Sequence, residues 1–128
     1  MLMTAQQLVA EAREQIREIE SGEAAMLLKE GALCLDVRET GEHQAERLHG
    51  SINIPRGVLE FRIGEHPELS DKERTVLVYC RTGGRSALAA LNLQRLGYRG
   101  VMSLAGGIEA WRTQGLPLHV DMNRYGNN

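Results

Sequence analysis

The sequence predicts an α/β protein built around a mostly parallel sheet, and three observations carry that prediction. Short runs of strand composition (Leu33–Val37, Ser51–Ile54, Thr75–Tyr79 and Gly100–Leu104) alternate with helical stretches, the order that produces βαβ units. Leu33–Val37 has the length and flanks of a buried strand. Glycines stand where helices should stop, at Gly31, Gly97 and Gly115.

The elements are expected in the following order. Residues from about Thr4 to Glu20 read as a helix with Thr4 as N-cap and an apolar stripe of Leu8, Ala12, Ile16 and Ile19. Ser21 caps a second helix over Gly22–Lys29, closed by Gly31. After the Leu33–Val37 strand, Arg38–Glu46 reads as a loop with a helical turn. Ser51–Ile54 is a short strand ended by Pro55, which keeps its predecessor extended. Gly57–Gly64 is expected to be helical, with Val58, Leu59, Phe61 and Ile63 as apolar members and Phe61 in the core. A polar linker, His66–Arg74, leads to the Thr75–Tyr79 strand. Ser86–Leu96 is the clearest helix, and Gly100–Leu104 the last strand. Gly106-Gly107 opens a final helix carrying Ile108 and Trp111, and Leu118–Asn128 reads as polar tail. The organisation expected is a helical extension over 1–20, a domain over 21–118 and a tail over 119–128.

Ligands of parallel sheets bind beyond the carboxyl ends of the strands. Asp36, Pro55, Cys80 and the Leu104–Gly107 turn all fall there and should meet on one rim.

Composition narrows the function classes. The 128 residues fit one domain, and 42% hydrophobic with 25% charged residues is ordinary for a globular protein. A net charge of −2 gives no general attraction to nucleic acid or to an anionic membrane. Two cysteines make no disulfide framework, and the four histidines have no metal-ligand spacing. No metal and no cofactor is therefore expected. The segment Met1–Glu20 is charged throughout, unlike a signal peptide, and no apolar run is long enough to span a bilayer. A reduced, cytoplasmic setting is expected, where a free thiol survives.

The strongest local signal is Tyr79-Cys80-Arg81-Thr82-Gly83-Gly84-Arg85-Ser86. A strand stops at a cysteine, a glycine-rich loop follows, and Arg85-Ser86 open a helix. A loop of this kind turns backbone N–H groups inward, and the helix points its positive end at the same place. Helix N-termini and neighbouring arginines favour the thiolate form of cysteine. Cys80 reads as a nucleophile held in an anion cradle made by Arg81, Thr82, Gly83, Gly84 and Arg85.

Four segments in order resemble a single-domain rhodanese. They are Leu35-Asp36-Val37-Arg38-Glu39, Gly50-Ser51-Ile52-Asn53-Ile54-Pro55, the Cys80–Ser86 loop, and Leu104-Ala105-Gly106-Gly107-Ile108-Glu109-Ala110-Trp111 with Gly115-Leu116-Pro117. The resemblance covers roughly residues 22–117. It implies a doubly wound, mostly parallel sheet of four or five strands flanked by helices. It also implies sulfur transfer, in which Cys80 takes the outer sulfur of thiosulfate, holds it as a persulfide and passes it to cyanide or a thiol.

Within that frame the N–H groups of Arg81 through Arg85 should face the thiolate, and the Arg81 and Arg85 side chains should pair with a sulfur oxyanion. Ser86 is expected to cap the helix. Asp36 and Arg38 are expected to support the rim, Asp36 facing loop N–H groups or an arginine and Arg38 pairing with Glu42 or Glu39. Cys34 reads as an inert filler, a resolving thiol being the alternative. Three rivals stand beside the enzyme: a phosphatase or arsenate reductase, a non-catalytic docking module, and a relay taking sulfur from a partner protein. Phosphatase cradles resemble Cys-x5-Arg, whereas Cys80 to Arg85 is Cys-x4-Arg, a shorter loop suited to a single sulfur. The N-terminal stripe either folds onto the domain or pairs with a second copy, so both monomer and homodimer remain open.

Overall fold

A computed structural model describes residues 2–121 of the chain. Helix α1 (Ala5–Arg13) leads into strand β1 (Arg17–Ile19), helix α2 (Ser21–Lys29) and strand β2 (Leu33–Asp36). Helix α3 (Thr40–Ala45) and the short strands β3 (Glu46–Arg47) and β4 (Ile52–Asn53) follow. Helix α4 (Leu59–Arg62) is flanked by 3-10 turns at Arg56–Val58 and Ile63–Glu65. The second half contains β5 (Thr75–Tyr79), α5 (Gly84–Arg95), β6 (Gly100–Leu104), α6 (Gly107–Thr113) and β7 (His119–Val120).

Five strands form one parallel sheet in the order β1-β6-β5-β2-β4, and β3 pairs with β7 antiparallel in a separate ribbon. The chain steps from β2 outward to β4, then returns to β5 and steps the other way to β6. The order therefore reverses between β2 and β5, which pair with Asp36 beside Tyr79. In such sheets the crevice for a ligand opens at that reversal, beyond the carboxyl ends.

Side chains alternate across the sheet and divide the core in two. Leu33, Leu35, Val37, Val76, Val78 and Cys80 pack on one face with Leu59, Ala89, Ala90 and Leu93 from α4 and α5. Cys34, Leu77, Tyr79, Met102 and Leu104 pack on the other with Ala24 of α2 and Ile108 and Trp111 of α6. The central strands β2 and β5 are covered on both faces, which is why they read as nearly unbroken apolar runs.

The expected strands and the helices behind them are present, with four differences. Helix α1 ends at Arg13, and Arg17–Ile19 pair in parallel with Met102–Leu104 as the edge strand. Ile16 and Ile19 then face opposite halves of the core, a period of two that the helical stripe had absorbed. Thr4 does cap α1, in a reciprocal capping box with Gln7. Glu20 occupies the N-cap position of the second helix without a side-chain capping bond, so Ser21 is the first residue of that helix and not its cap. Phe61, expected in the core, is 80% exposed because the helix is broken by 3-10 turns, and Val58, Leu59 and Ile63 are the members that pack inward. His119–Val120, assigned to the tail, form β7 against β3; the remainder of that tail, 122–128, lies outside the described residues. Among the described residues no helix is long and apolar enough to cross a membrane.

Candidate active site

Strand β5 delivers Cys80 to the rim beside the reversal point. The chain then turns through Arg81 and Thr82 to Gly83, the N-cap of α5, whose φ is 109°. Two backbone donors converge on Cys80 Sγ: Gly83 N–H at 3.1 Å and Ser86 N–H at 3.3 Å. Both belong to the unpaired N–H groups at the start of a 12-residue helix, so the sulfur also lies at the positive end of the α5 dipole. Cys80 is 1% exposed.

Ser86 is not the cap of α5. Its backbone faces the sulfur, and its hydroxyl lies 3.6 Å from Sγ and 2.8 Å from Ser103 Oγ, donating also toward the Gly83 carbonyl at 3.3 Å. Helix α5 starts two residues earlier than its apolar pattern suggests, which places Ser86 inside the first turn. Of the N–H groups between Arg81 and Arg85, the one that reaches the sulfur is that of Gly83.

Helix α6 closes the loop from the other side. Ile108 N–H donates to the Cys80 carbonyl at 2.9 Å, and Glu109 N–H to the Arg81 carbonyl at 3.2 Å. This approach requires glycine at 107. A Cβ there would stand 2.4 Å from the Arg81 carbonyl oxygen and 2.6 Å from that of Cys80, and its φ is +62°.

Asp36 anchors the rim beside the loop. It is fully buried, and its Oδ2 accepts from Arg38 Nη2 at 2.7 Å and from the Tyr79 hydroxyl at 2.9 Å, with His43 Nδ1 also at 2.9 Å. Its Oδ1 accepts from the Arg38 backbone N–H at 2.9 Å and from Arg38 Nε at 3.0 Å. Burial pulls the Asp36 carboxyl upward, but the bonds from His43 and Arg38 and the charge of Arg38 outweigh it and hold the group below its ordinary value. Arg38 was expected to pair with Glu42 or Glu39. It pairs instead with Asp36, lies 5.4 Å over the Tyr79 ring and donates to the Glu46 carbonyl at 2.6 Å. Asn53 Nδ2 ties the same turn down by donating to the carbonyls of Asp36 and Arg38.

A cavity of about 460 Å³ opens between α3 and α6, lined by Arg38, Gly41, Glu42, Ala45, Glu46, Arg81, Ile108, Glu109 and Arg112. The arginines around it are held by carboxylates. Arg81 Nε donates to Glu109 at 2.7 Å, Arg112 pairs with Glu46, and Arg85 forms a two-pronged pair with Glu42 at 2.9 and 3.2 Å. The Arg85 bond holds the Glu42 carboxyl below its ordinary value, against a smaller opposing effect of burial.

The structure thus brings Cys80, the loop through Arg85, Ser86, Asp36 and Arg38 to one rim, with the arginine side chains turned to acidic neighbours. Cys34 lies on the other face of the sheet from Cys80, where burial, helped by the charge of Asp36, pushes its thiol far up. From there it is not placed to act as a resolving thiol for Cys80. Sequence reasoning passed over Tyr79, His43, Asn53, Ser103 and Glu109. Tyr79 carried a usable signal, since its strand phase puts it opposite Cys80 and beside Asp36. Among the described residues no group of three or more His, Cys, Asp or Glu side chains is placed to hold a metal ion.

Comparison with known proteins agrees with this geometry. The model of the rhodanese-like domain matches residues 20–114. A sulfurtransferase from Allochromatium vinosum is 34% identical over 105 residues, covering 80% of this chain and 94% of the relative. The thiosulfate sulfurtransferase GlpE of Coxiella burnetii is 32% identical over 99 residues, covering 77% and 87%. A solved structure from Rhodopseudomonas palustris CGA009, a protein of unknown function described as a possible tyrosine phosphatase, superposes with a TM-score of 0.84 at 30% identity, covering 93% of this chain and 96% of its own. A match over most of the chain, carrying the loop, the Asp36–Arg38 rim and the α6 closure, means that this chain belongs to the rhodanese-like domain family.

Proposed function

We propose that the chain is a sulfurtransferase that moves sulfane sulfur from thiosulfate, or a donor like it, through a persulfide on Cys80. The observation that carries the reading is the pair of N–H groups, from Gly83 and Ser86, aimed at Sγ from the start of α5. These donors stabilise negative charge at that sulfur and are fixed before reaction begins. The Cys80 thiolate attacks the outer sulfur of thiosulfate. The S–S bond of the donor breaks, sulfite leaves with the bonding pair, and a new S–S bond forms on Sγ. An acceptor nucleophile, cyanide or a thiol, then attacks the terminal sulfur and Cys80 leaves as thiolate, completing a two-step covalent cycle. Arg81, Thr82 and Gly84 shape the loop, Arg85 braces it against α3, and Asp36 with Arg38 holds the neighbouring turn.

Phosphoryl transfer fits this site less well. The Cys80–Arg85 loop has one residue fewer between cysteine and arginine than the Cys-x5-Arg ring, and Arg85 is engaged by Glu42. A tetrahedral phosphate above so short a loop would miss the 2.7–3.1 Å donor distances, roughly, that such catalysis needs.

Intact mass after mixing with thiosulfate tests the proposal. A gain of about 32 Da on Cys80, lost on adding cyanide and absent in Cys80→Ser, is the expected result. A gain on Cys34, or activity retained by Cys80→Ser, would refute it. No gain from thiosulfate but a gain from a cysteine desulfurase would replace the small-molecule enzyme with a relay between proteins.

A further inference from the structure

We infer that Glu109 is a specificity-determining residue beside Cys80, whose charge lowers the preference of the site for dianionic over less charged sulfur donors. The part of this inference that concerns sulfur donors rests on the function proposed above; the part that concerns charge does not.

The site has two electrostatic layers. The inner one is the N–H pair at the start of α5, which favours negative charge on the single atom Sγ. The outer one is the mouth formed by the cavity between α3 and α6, which Arg81, the residue next to Cys80, helps to line and where positive charge is cancelled. Arg81 pairs with Glu109, Arg85 with Glu42 and Arg112 with Glu46.

Glu109 is the carboxylate best placed to control access. It stands in the first turn of α6 and holds the residue beside the nucleophile twice, by its backbone N–H to the Arg81 carbonyl and by its side chain to Arg81 Nε at 2.7 Å. The backbone bond survives any change of side chain, so a substitution alters charge without releasing the loop. Both partners are well exposed, Arg81 at 68% and Glu109 at 43%, which makes the pair weak in stability but open to competition by an incoming anion. A dianion that uses Arg81 must displace this carboxylate and lie close to it, whereas an uncharged donor does neither.

Replacing Glu109 by glutamine adds one unit of positive charge to the mouth. At separations of about 6–10 Å in a water-like dielectric, one unit of charge changes a rate about two- to threefold per unit of probe charge at low ionic strength. Two pairs of probes read this. Alkylation of Cys80, followed by peptide mass, compares iodoacetate with uncharged iodoacetamide and needs no sulfur chemistry. Persulfide loading compares thiosulfate, a dianion, with methanethiosulfonate, a monoanion. In Glu109→Gln both ratios, iodoacetate to iodoacetamide and thiosulfate to methanethiosulfonate, should rise about two- to threefold. The gain should fade in high salt, and Glu109→Asp, which keeps the charge, should hold the wild-type ratios. A purely structural role would move both members of each pair together and leave the ratios unchanged. Unchanged or falling ratios in Glu109→Gln overturn the inference. If Cys80 alkylates but accepts sulfur from neither donor, the proposed function fails and the alkylation ratio still decides the role of Glu109.

Discussion

Gly107→Ala isolates the contact that joins the Cys80 loop to α6. The new Cβ would stand 2.4 Å from the Arg81 carbonyl oxygen, 2.5 Å from its carbon and 2.6 Å from the Cys80 carbonyl oxygen. All three are backbone atoms, so no rotamer change relieves the overlap, and α6 or the loop must move. The alanine also inherits a φ of +62°, which costs about 1–2 kcal/mol for an L residue. Separation weakens the Ile108-to-Cys80 and Glu109-to-Arg81 bonds, at about 1 kcal/mol each. We expect a loss of about 3–4 kcal/mol in urea unfolding, the sum of these two contributions. Sulfur transfer should fall at least about tenfold in the fraction that remains folded, because Cys80 moves relative to its donors. Gly115→Ala supplies the control: its φ is +74° but nothing lies within 4 Å of its Cβ, so it bears the dihedral cost alone. If Gly107→Ala unfolds like Gly115→Ala and keeps wild-type turnover, the closure by α6 has no part in holding Cys80.

Four further outcomes are expected. Gly22→Ala in α2, where a Cβ meets nothing within 4 Å, should stabilise the fold by about 0.5–1 kcal/mol in the same assay, and a loss would mean that the helix position is misjudged. Tyr79→Phe removes the partner of the Leu48 N–H and one of the several partners of Asp36 Oδ2 and should cost about 1–3 kcal/mol; a neutral result would show that water replaces the hydroxyl. Asp36 and Glu42 are both held below their ordinary values of 3.8 and 4.5, so their contribution is complete above about pH 4.5 and is lost as the pH falls through the lower folded-state values. The urea midpoint should therefore drop on acidification below about pH 4, less steeply in Glu42→Gln, and a midpoint that rises in acid contradicts the assignment. Finally, p-nitrophenyl phosphate should not be hydrolysed, and robust Cys80-dependent hydrolysis would return the phosphatase to first place.

The positions of Cys80 and its strand were legible because their signals are local. A parallel central strand must be apolar on both faces, so Thr75–Tyr79 announces itself, and the Gly83-Gly84 turn into an alanine-rich helix fixes where Cys80 stands. The edge strand β1 was hidden for the opposite reason. Three residues with one buried side chain, Ile19, give too little alternation to compete with a helical spacing that happens to link Ala12, Ile16 and Ile19. Phe61 misled because composition reports that a residue is apolar and not which way a short, broken helix turns it. Partner choice among the charged groups was the least legible. Arg38 has Glu39 and Glu42 near it in sequence, yet it takes Asp36, because its guanidinium is buried beside Tyr79 and needs a buried carboxylate. Glu42 is thereby left for Arg85, 43 residues away.

That exchange of partners explains how one rim serves two needs. A sulfur nucleophile wants positive potential at a single atom, and fixed N–H groups supply it without a side chain that could rotate away or collapse onto the sulfur. Arginines at the mouth add reach but would crowd the thiolate if left free, since the guanidinium of Arg81 belongs to the residue next to Cys80. Binding each to a carboxylate directs it away from the sulfur, at a cost of only about 0–1 kcal/mol per exposed pair when an anion competes for it. The buried Asp36–Arg38 pair behaves differently: removing either partner would strand a charge with no solvent to receive it, so it is fixed where the exposed pairs are exchangeable. Burial, more than residue type, therefore separates the charges that hold this rim in shape from those an incoming substrate can recruit.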